Sequence, residues 1–379
     1  MLKKKNSFVI FYFFFTFLIY IVSLPFLIFL SFKKKYKKSI PARFFLFKNP
    51  PFEKKLYWFH ACSLGETRAL KPIIERFKEV NLSVITNTGF EEAKKLGSNV
   101  RFLPYEIFLP FWVKPCKSLV VMEAELWYML FFMAKRRCRK TILLNARISD
   151  KSYSKYLKFR WFYKKVFENI DLVLAQSKKD KERLEKLGAK NIKVVGNIKT
   201  IFKPNITKHY KKSKPLLVIA STHAKEEEKI LSQIDLDNWQ VVVVPRHPER
   251  FDEVFEIMKK FKNPVRLSEI KKLDDFVLVD KMGELINLYA IADCVILGGS
   301  FVDNVGGHNP IEAAYFNVPI ISGKYYFNQT ALYKEVEGIE ICDVNEIGKK
   351  LENLKPTKIK NKANLEEIVR LIKGEECMK

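Results

Sequence analysis

Residues 298–314, GGSFVDNVGGHNPIEAA, follow a short apolar run, Asp293-Cys294-Val295-Ile296-Leu297, that reads as a buried strand. Two glycine pairs, Gly298-Gly299 and Gly306-Gly307, let the backbone turn sharply and approach another group closely. A helix start comes next. Asn309 suits the N-cap, Pro310 the first helical position, and Glu312 stands three residues after the cap. A strand, a Gly-rich loop and a capped helix together make a phosphate site, because free N–H groups and the positive end of the helix dipole both favour an anion. Beside a bound nucleotide, Glu312 can also accept both hydroxyls of a ribose. The alternative is a plain strand–helix connection in which Asn309 and Glu312 do no more than cap.

The same strand–helix alternation continues on both sides. In the second half, Leu216–Ala220 leads into Ser221-Thr222-His223, and Val241–Val244 into Pro245-Arg246-His247-Pro248. Phe276–Val279 leads into Lys281-Met282-Gly283-Glu284, and Val318–Ser322 follows the glycine-rich stretch. In the first half the apolar runs are Leu56–His60, Leu82–Thr86, Leu119–Met122, Thr141–Leu144, Asp171–Ala175 and Ile192–Val195. Strands separated by helices imply parallel sheets covered on both faces, with ligands at the carboxyl ends of the strands. Residues 201–214, IFKPNITKHYKKSK, lack periodicity and read as a linker. The expected fold class is α/β: two doubly wound, Rossmann-like domains facing a cleft. The expected division is an anchor over 1–34, a first domain over 35–204, a second over 205–355 and a C-terminal helix over 356–379.

Composition narrows the setting. The chain has 379 residues, 48% of them apolar, and a formal net charge of +26. Such a charge calls for an anionic partner, be it nucleic acid, acidic lipid or a phosphorylated substrate. No aromatic–basic interleaving marks a single-strand platform, so nucleic acid is not expected. The six cysteines, at 62, 116, 138, 294, 342 and 377, form no C-x-x-C pair and have no histidine spacing beside them. Neither a zinc site nor a disulfide framework is expected, and a reduced cytoplasmic compartment fits. Residues 8–32 are almost wholly apolar, about the length that crosses a bilayer. Lysines 3–5 precede this segment, and the heavier cluster Lys33, Lys34, Lys35, Lys37 and Lys38 follows it. The positive-inside tendency then puts the body of the protein in the cytoplasm, behind a single N-terminal anchor that spans or dips into the membrane.

Three polar clusters at strand ends carry candidate chemistry. Ser63-Leu64-Gly65-Glu66 has the form of a capping box, and its carboxylate can equally take a proton from an acceptor hydroxyl. Glu123 and Glu125 place two carboxylates after another strand, where a solvated helix start is the simpler reading. Arg246-His247 after a four-valine strand matches phosphate geometry, with pairing of Arg246 to Glu249 as the alternative. There is no P-loop, no G-x-G-x-x-G and no metal-ligand cluster. An anchored, two-domain nucleotide-sugar transferase fits each feature. A nucleotide-sugar epimerase or a basic, membrane-tethered binding protein fits fewer of them.

Taken together and in order, these segments resemble the 3-deoxy-D-manno-octulosonic acid (Kdo) transferases of lipopolysaccharide synthesis. The matching residues are Trp58 to Glu66 (WFHACSLGE), Glu123 to Trp127 (EAELW), Asn145 to Ser149 (NARIS), Gly196 to Lys199 (GNIK), Ala220 to His223 (ASTH), Pro245 to Arg250 (PRHPER), Gly283 to Leu285 (GEL), Gly298 to Ser300 (GGS) and Gly306 to Glu312 (GGHNPIE). The resemblance implies a GT-B glycosyltransferase fold. It implies inverting transfer of Kdo from CMP-Kdo to a lipid A precursor (lipid IVA) in inner-core synthesis, on the cytoplasmic face of a Gram-negative inner membrane. It implies no cofactor and no catalytic metal. It further implies Glu66 as general base, and Glu125 with Lys199 as stabilisers of the transition state. Ser221, Thr222, Arg246, His247, Met282, Gly283, Glu284, Asn309, Pro310, Ile311 and Glu312 fall on donor-binding segments. The chain departs from the family pattern at Tyr128, where Pro is usual after Trp, and at Glu106, where Asp is usual.

Overall fold

The computed structural model describes residues 2–33, 36–96, 99–201 and 204–375, and for residues 2–6 the backbone alone. The chain forms two compact units, Met1–Ile201 with Lys362–Lys379, and Phe202–Asn361.

The first unit holds seven strands: β1 (Tyr57–Ala61), β2 (Val80–Val84), β3 (Asn99–Phe102), β4 (Ser118–Met122), β5 (Thr141–Ala146), β6 (Leu172–Ala175) and β7 (Ile192–Val194). They form one sheet in the order β3-β2-β1-β4-β5-β6-β7. Every pairing is parallel. Side chains alternate across a strand, so Leu119 and Val121 enter one core while Val120 and Met122 enter the other. Both faces are dry, which is why the strands read as continuous apolar runs. The strand order reverses between β1 and β4, so the crevice at this switch point opens at their carboxyl ends.

The second unit repeats the plan. Its main strands are β8 (Leu216–Thr222), β9 (Gln240–Pro245), β10 (Val265–Arg266), β11 (Phe276–Leu278), β12 (Cys294–Leu297), β13 (Ile320–Ser322) and, after a short β14 (Val336–Glu337), β15 (Ile339–Ile341). The seven-stranded sheet has the order β10-β11-β9-β8-β12-β13-β15. All its pairings are parallel. A two-stranded antiparallel piece joins β14 to β16 (Lys358–Ile359). The switch point here lies between β8 and β12. Residues 204–214 carry no regular structure yet are strapped to this unit. Lys208 and Tyr210 bond Glu284, Lys212 bonds Asp293 and Lys214 bonds Asp275.

Both ends of the chain belong to the first unit. The C-terminal helix Leu365–Lys373 buries Ile368, Val369 and Ile372 in the core that also holds Leu70 and Ile73. The N-terminal helix α1 (Leu2–Ser31) contains a segment, Ser7–Ser31 with mean hydropathy 2.5, long and apolar enough to cross a membrane. The absence of a disulfide, expected from cysteine spacing, is corrected. Cys116 and Cys138 are bonded, with Cα atoms 4.5 Å apart, tying the approach to β4 to the end of the helix Tyr128–Arg137. A separation of 22 residues carries no motif, and only the fold brings the two together. Cys377 lies outside the described residues.

Candidate functional site

Each unit presents a polar cluster at its switch point. In the first unit, Ser63 caps the helix Leu64–Ile74 that leaves β1. The return bond of a capping box is shifted by one residue, onto the Cys62 N–H. The Glu66 N–H donates to Ser63 Oγ at 3.4 Å, and the Glu66 carboxylate accepts from the Cys62 N–H at 2.8 Å and from the Ser63 hydroxyl at 3.0 Å. Capping and chemistry are not exclusive here, because two hydrogen bonds leave acceptor positions open on the carboxylate. Burial raises the pKa of Glu66. The Cys62 N–H opposes the rise, and the negative charges of Glu123 and Glu125 add to it. The Cys62 thiol is pushed up to about 12 by burial and by the carboxylates of Glu125 and Glu66, so it stays protonated.

Glu123 and Glu125 follow β4, the strand beside β1. Glu123 has φ +53°, a left-handed conformation that turns the chain sharply off the strand. Lys199 reaches it from the turn Ile198–Thr200, with Nζ 2.6 Å from a Glu123 oxygen. Glu125 instead accepts from the indole N–H of Trp127 at 2.7 Å. The family resemblance sets Lys199 to work beside Glu125, whereas the structure pairs it with Glu123, to which the resemblance gives no role. Two more residues join this region: Asn145, which the family motif includes without a role, and Arg43, which no motif marks. Asn145, also at positive φ (+58°), accepts from the Ile198 N–H at 3.0 Å. Its buried amide nitrogen has no partner among the described residues. Arg43 is lowered to about 10 by burial, with the charges of Cys62 and Glu125 opposing.

In the second unit the cluster is cationic and aromatic. Ser221, next to last in β8, has φ +56°, and Thr222 keeps a buried hydroxyl with no partner among the described residues. His223 follows, with Nε2 2.9 Å from Nε2 of His308, so one ring donates and the other accepts. His247, from the end of β9, stands edge-on to His223 with ring centroids 5.2 Å apart. Burial lowers His308 to about 4, helped by the charges of His223, Arg246 and His247. Both rings of the pair are therefore neutral near pH 7. The Arg246 side chain is exposed and forms no hydrogen bond or ion pair among the described residues. Glu249, its alternative partner, lies 3.8 Å from His247. Glycine is needed where these pieces meet. A Cβ on Gly298 would fall 2.8 Å from Thr222 Cα, and one on Gly299 2.7 Å from His308 Cδ2.

The glycine-rich loop differs from its reading as an open amide cradle. Glu226, fully buried, accepts from the N–H groups of Gly299 at 2.7 Å, Phe301 at 2.9 Å and His223 at 2.8 Å. An internal carboxylate thus takes two of the loop amides that an anion would use. Its signal in the sequence is slight, a Glu three residues after His223 at the spacing of a cap. Beyond the loop, Asn309 Oδ1 accepts from the Ile311 N–H at 3.0 Å at the start of the short helix Ile311–Ala314, and Pro310 precedes that helix. Asn309 also donates to Glu312 at 3.4 Å, and burial raises the pKa of Glu312. Gly283 turns at φ +89°, and Met282 is exposed. Glu284 is tied down: Lys208 and Tyr210 bond it at 2.6 and 3.0 Å, and Asn287 at 2.8 Å. Burial would raise its pKa, but these partners hold it below the usual carboxylate range. Among the described residues, no group of three or more His, Cys, Asp or Glu side chains is arranged around a metal position.

Two doubly wound parallel units, one with carboxylates and the other with imidazoles and a guanidinium at the switch point, define a protein of the GT-B glycosyltransferase class. A sequence model described as 3-Deoxy-D-manno-octulosonic-acid transferase (kdotransferase) matches residues 38–201. The 3-deoxy-D-manno-octulosonic acid transferase of Haemophilus influenzae is 30% identical over 374 residues, covering 88% of this chain and 86% of that protein. A bifunctional glycosyltransferase/methyltransferase of Fusobacterium nucleatum is 31% identical over 81% of this chain, which spans 53% of that protein's length. Among solved structures, the C-terminal CMP-Kdo binding domain of WaaA from Acinetobacter baumannii is 36% identical, covering 36% of this chain and 77% of that one, with a TM-score of 0.33. The chain belongs to the Kdo transferase family.

Proposed function

We propose that the protein transfers Kdo, with inversion, from CMP-Kdo to a lipid A precursor such as lipid IVA, in inner-core lipopolysaccharide synthesis at the cytoplasmic face of the inner membrane. Family membership supports the reaction, and the motifs of the second unit support the donor. The observation that carries the mechanism is Glu66. Its carboxylate sits at the switch point of the first sheet, and burial together with Glu123 and Glu125 makes it more basic than an ordinary glutamate. Glu66 removes the proton from an acceptor hydroxyl as that oxygen attacks the anomeric carbon of Kdo. The bond to the phosphate of CMP breaks, and the bonding pair leaves with the phosphate. Arg246 and the His223–His308 pair receive that charge, since an unpaired guanidinium and imidazole N–H groups both favour a phosphate oxygen. Lys199, paired with Glu123, and Glu125 share the stabilising role that the family resemblance gives them. No metal or other cofactor is needed on this reading, because side chains of the protein meet both the proton and the phosphate charge.

The test is a transfer assay with CMP-Kdo generated in situ and a tetra-acylated lipid A precursor, read by mass spectrometry. A gain of Kdo mass in the parent that is lost in Glu66→Gln supports the proposal. Undiminished transfer in that variant returns Glu66 to capping alone. No transfer by a folded protein that still binds CMP overturns the acceptor.

A further inference from the structure

Helix α1 is apolar on all sides, yet only one side is covered. Covered positions recur at helical spacing, 8, 9, 12, 13, 16, 20, 23, 24 and 27, while 10, 11, 14, 15, 18, 21, 22, 25 and 26 are exposed. The covered stripe is docked on the first unit. The Phe8 ring stands edge-on to Tyr128 at 5.0 Å, and the Tyr12 ring meets Tyr128 at 4.9 Å. The Tyr12 hydroxyl donates to Glu106, whose other carboxylate oxygen accepts from the Met129 N–H at 2.9 Å. Further along, Tyr20 donates to the Phe44 carbonyl at 2.7 Å and packs edge-on against Phe108.

A helix clasped in this way cannot also cross a bilayer. The clasp from Phe8 to Tyr20 uses about 20 Å of helix at 1.5 Å per residue. Ile21–Ser31 adds about 16 Å, against a hydrocarbon core of about 30 Å. Drawing the clasped half into that core would carry along Glu106 and the helix Arg160–Phe167 with its Lys164 and Lys165, which is costly. The uncovered stripe nevertheless demands an apolar partner, since Phe11, Phe14, Val22 and Phe26 are each more than 60% exposed. Other exposed apolar rings touch the helix or stand close in sequence to the residues that clasp it. Trp161 touches Phe8, Phe111 follows Phe108, and Phe47 follows Phe44. Lys33 and Lys37 follow the helix end, exposed and placed for anionic headgroups, while Lys38 beside them pairs with Glu91.

We propose that α1 lies in the plane of the membrane, its inner stripe clasped by the first unit and its outer stripe, with Phe47, Phe111 and Trp161, buried in an anionic lipid surface. The first unit then sits directly on the bilayer, and both ends of α1 are on its side of the membrane. This rests on the membrane location proposed above, and the test separates the two. Lys3→Cys and Lys37→Cys are made in the full chain, and each is treated with a membrane-impermeant maleimide in intact and in permeabilised bacterial spheroplasts. The in-plane helix predicts that both variants label no more than the parent in intact spheroplasts, and both label after permeabilisation. Labelling of Lys3→Cys alone in intact spheroplasts means that α1 spans, and overturns the proposal while leaving the membrane location standing. Recovery of the chain in the soluble fraction overturns the membrane location and the in-plane helix with it.

Discussion

The two switch points stand on the same scaffold and hold opposite chemistry. Both sheets have seven parallel strands and reverse direction beside their first strand, at β1–β4 and at β8–β12. At the first, Glu123, paired with Lys199, and Glu125 lie close enough to Glu66 that their negative charge adds to burial in making it a stronger base. At the second, burial strips charge from His223 and His308 and leaves Arg246 with no partner among the described residues, a surface that gains by meeting an anion. The difference teaches that the fold supplies the place and the side chains supply the sign of charge. On the proposed mechanism, the first end takes a proton and the second a phosphate.

The contrast can be broken at either end. Glu66→Gln has the largest expected effect: transfer falls by roughly 10²–10⁴-fold, while calorimetry shows CMP binding unchanged. Arg246→Ala has the mirror effect, weakening CMP binding roughly 10- to 100-fold, as loss of a charged hydrogen-bonding group does. CMP binding should also draw protons onto the histidine pair, because a dianion raises pKa values that burial holds low. Affinity should therefore rise as pH falls from 8 towards about 5, with proton uptake visible as a dependence of binding heat on buffer. Glu123→Gln sharpens the first site. It removes a charge that raises Glu66, so the acid limb of transfer should move to lower pH, with a smaller loss of rate than Glu66→Gln gives. Chelation of divalent cations with EDTA should change the transfer rate least of all.

A further contrast lies within the first unit. Glu106 is buried and pushed up to about 7, mainly by burial, with the Tyr12 and Met129 hydrogen bonds opposing. A folded-state pKa above the unfolded value favours folding most at low pH, and that contribution is lost as pH rises through about 7. The melting temperature of the detergent-solubilised protein should therefore fall between about pH 5 and pH 8, and Glu106→Gln should flatten the fall.

Much of this is legible in the sequence. The central strands of both sheets read as apolar runs because both their faces are dry, and the polar residues after β1, β4, β8, β9 and β12 mark the switch points. Of the four edge strands of the two large sheets, β7 is read as Ile192–Val195 and the other three escape. β3, β10 and β15 run for 4, 2 and 3 residues with half-buried faces, too short and too mixed to show a period. Pairings across the fold escape as well, since neither Lys199 with Glu123 nor Cys116 with Cys138 has a spacing that announces it. Glu226 filling the glycine loop is of the same kind: its cap spacing is visible, its second partner 73 residues away is not. The two departures from the family pattern gain a setting only in three dimensions, since Tyr128 and Glu106 both meet Tyr12 of α1.

Glu66, made basic by its surroundings, is proposed to take the acceptor proton. The direct measurement is the pH dependence of kcat/KM for Kdo transfer, in the parent and in Glu66→Gln. The expected result is an acid limb with its midpoint above the ordinary carboxylate range in the parent, and no such limb in the residual activity of the variant. The same limb in both proteins would contradict it.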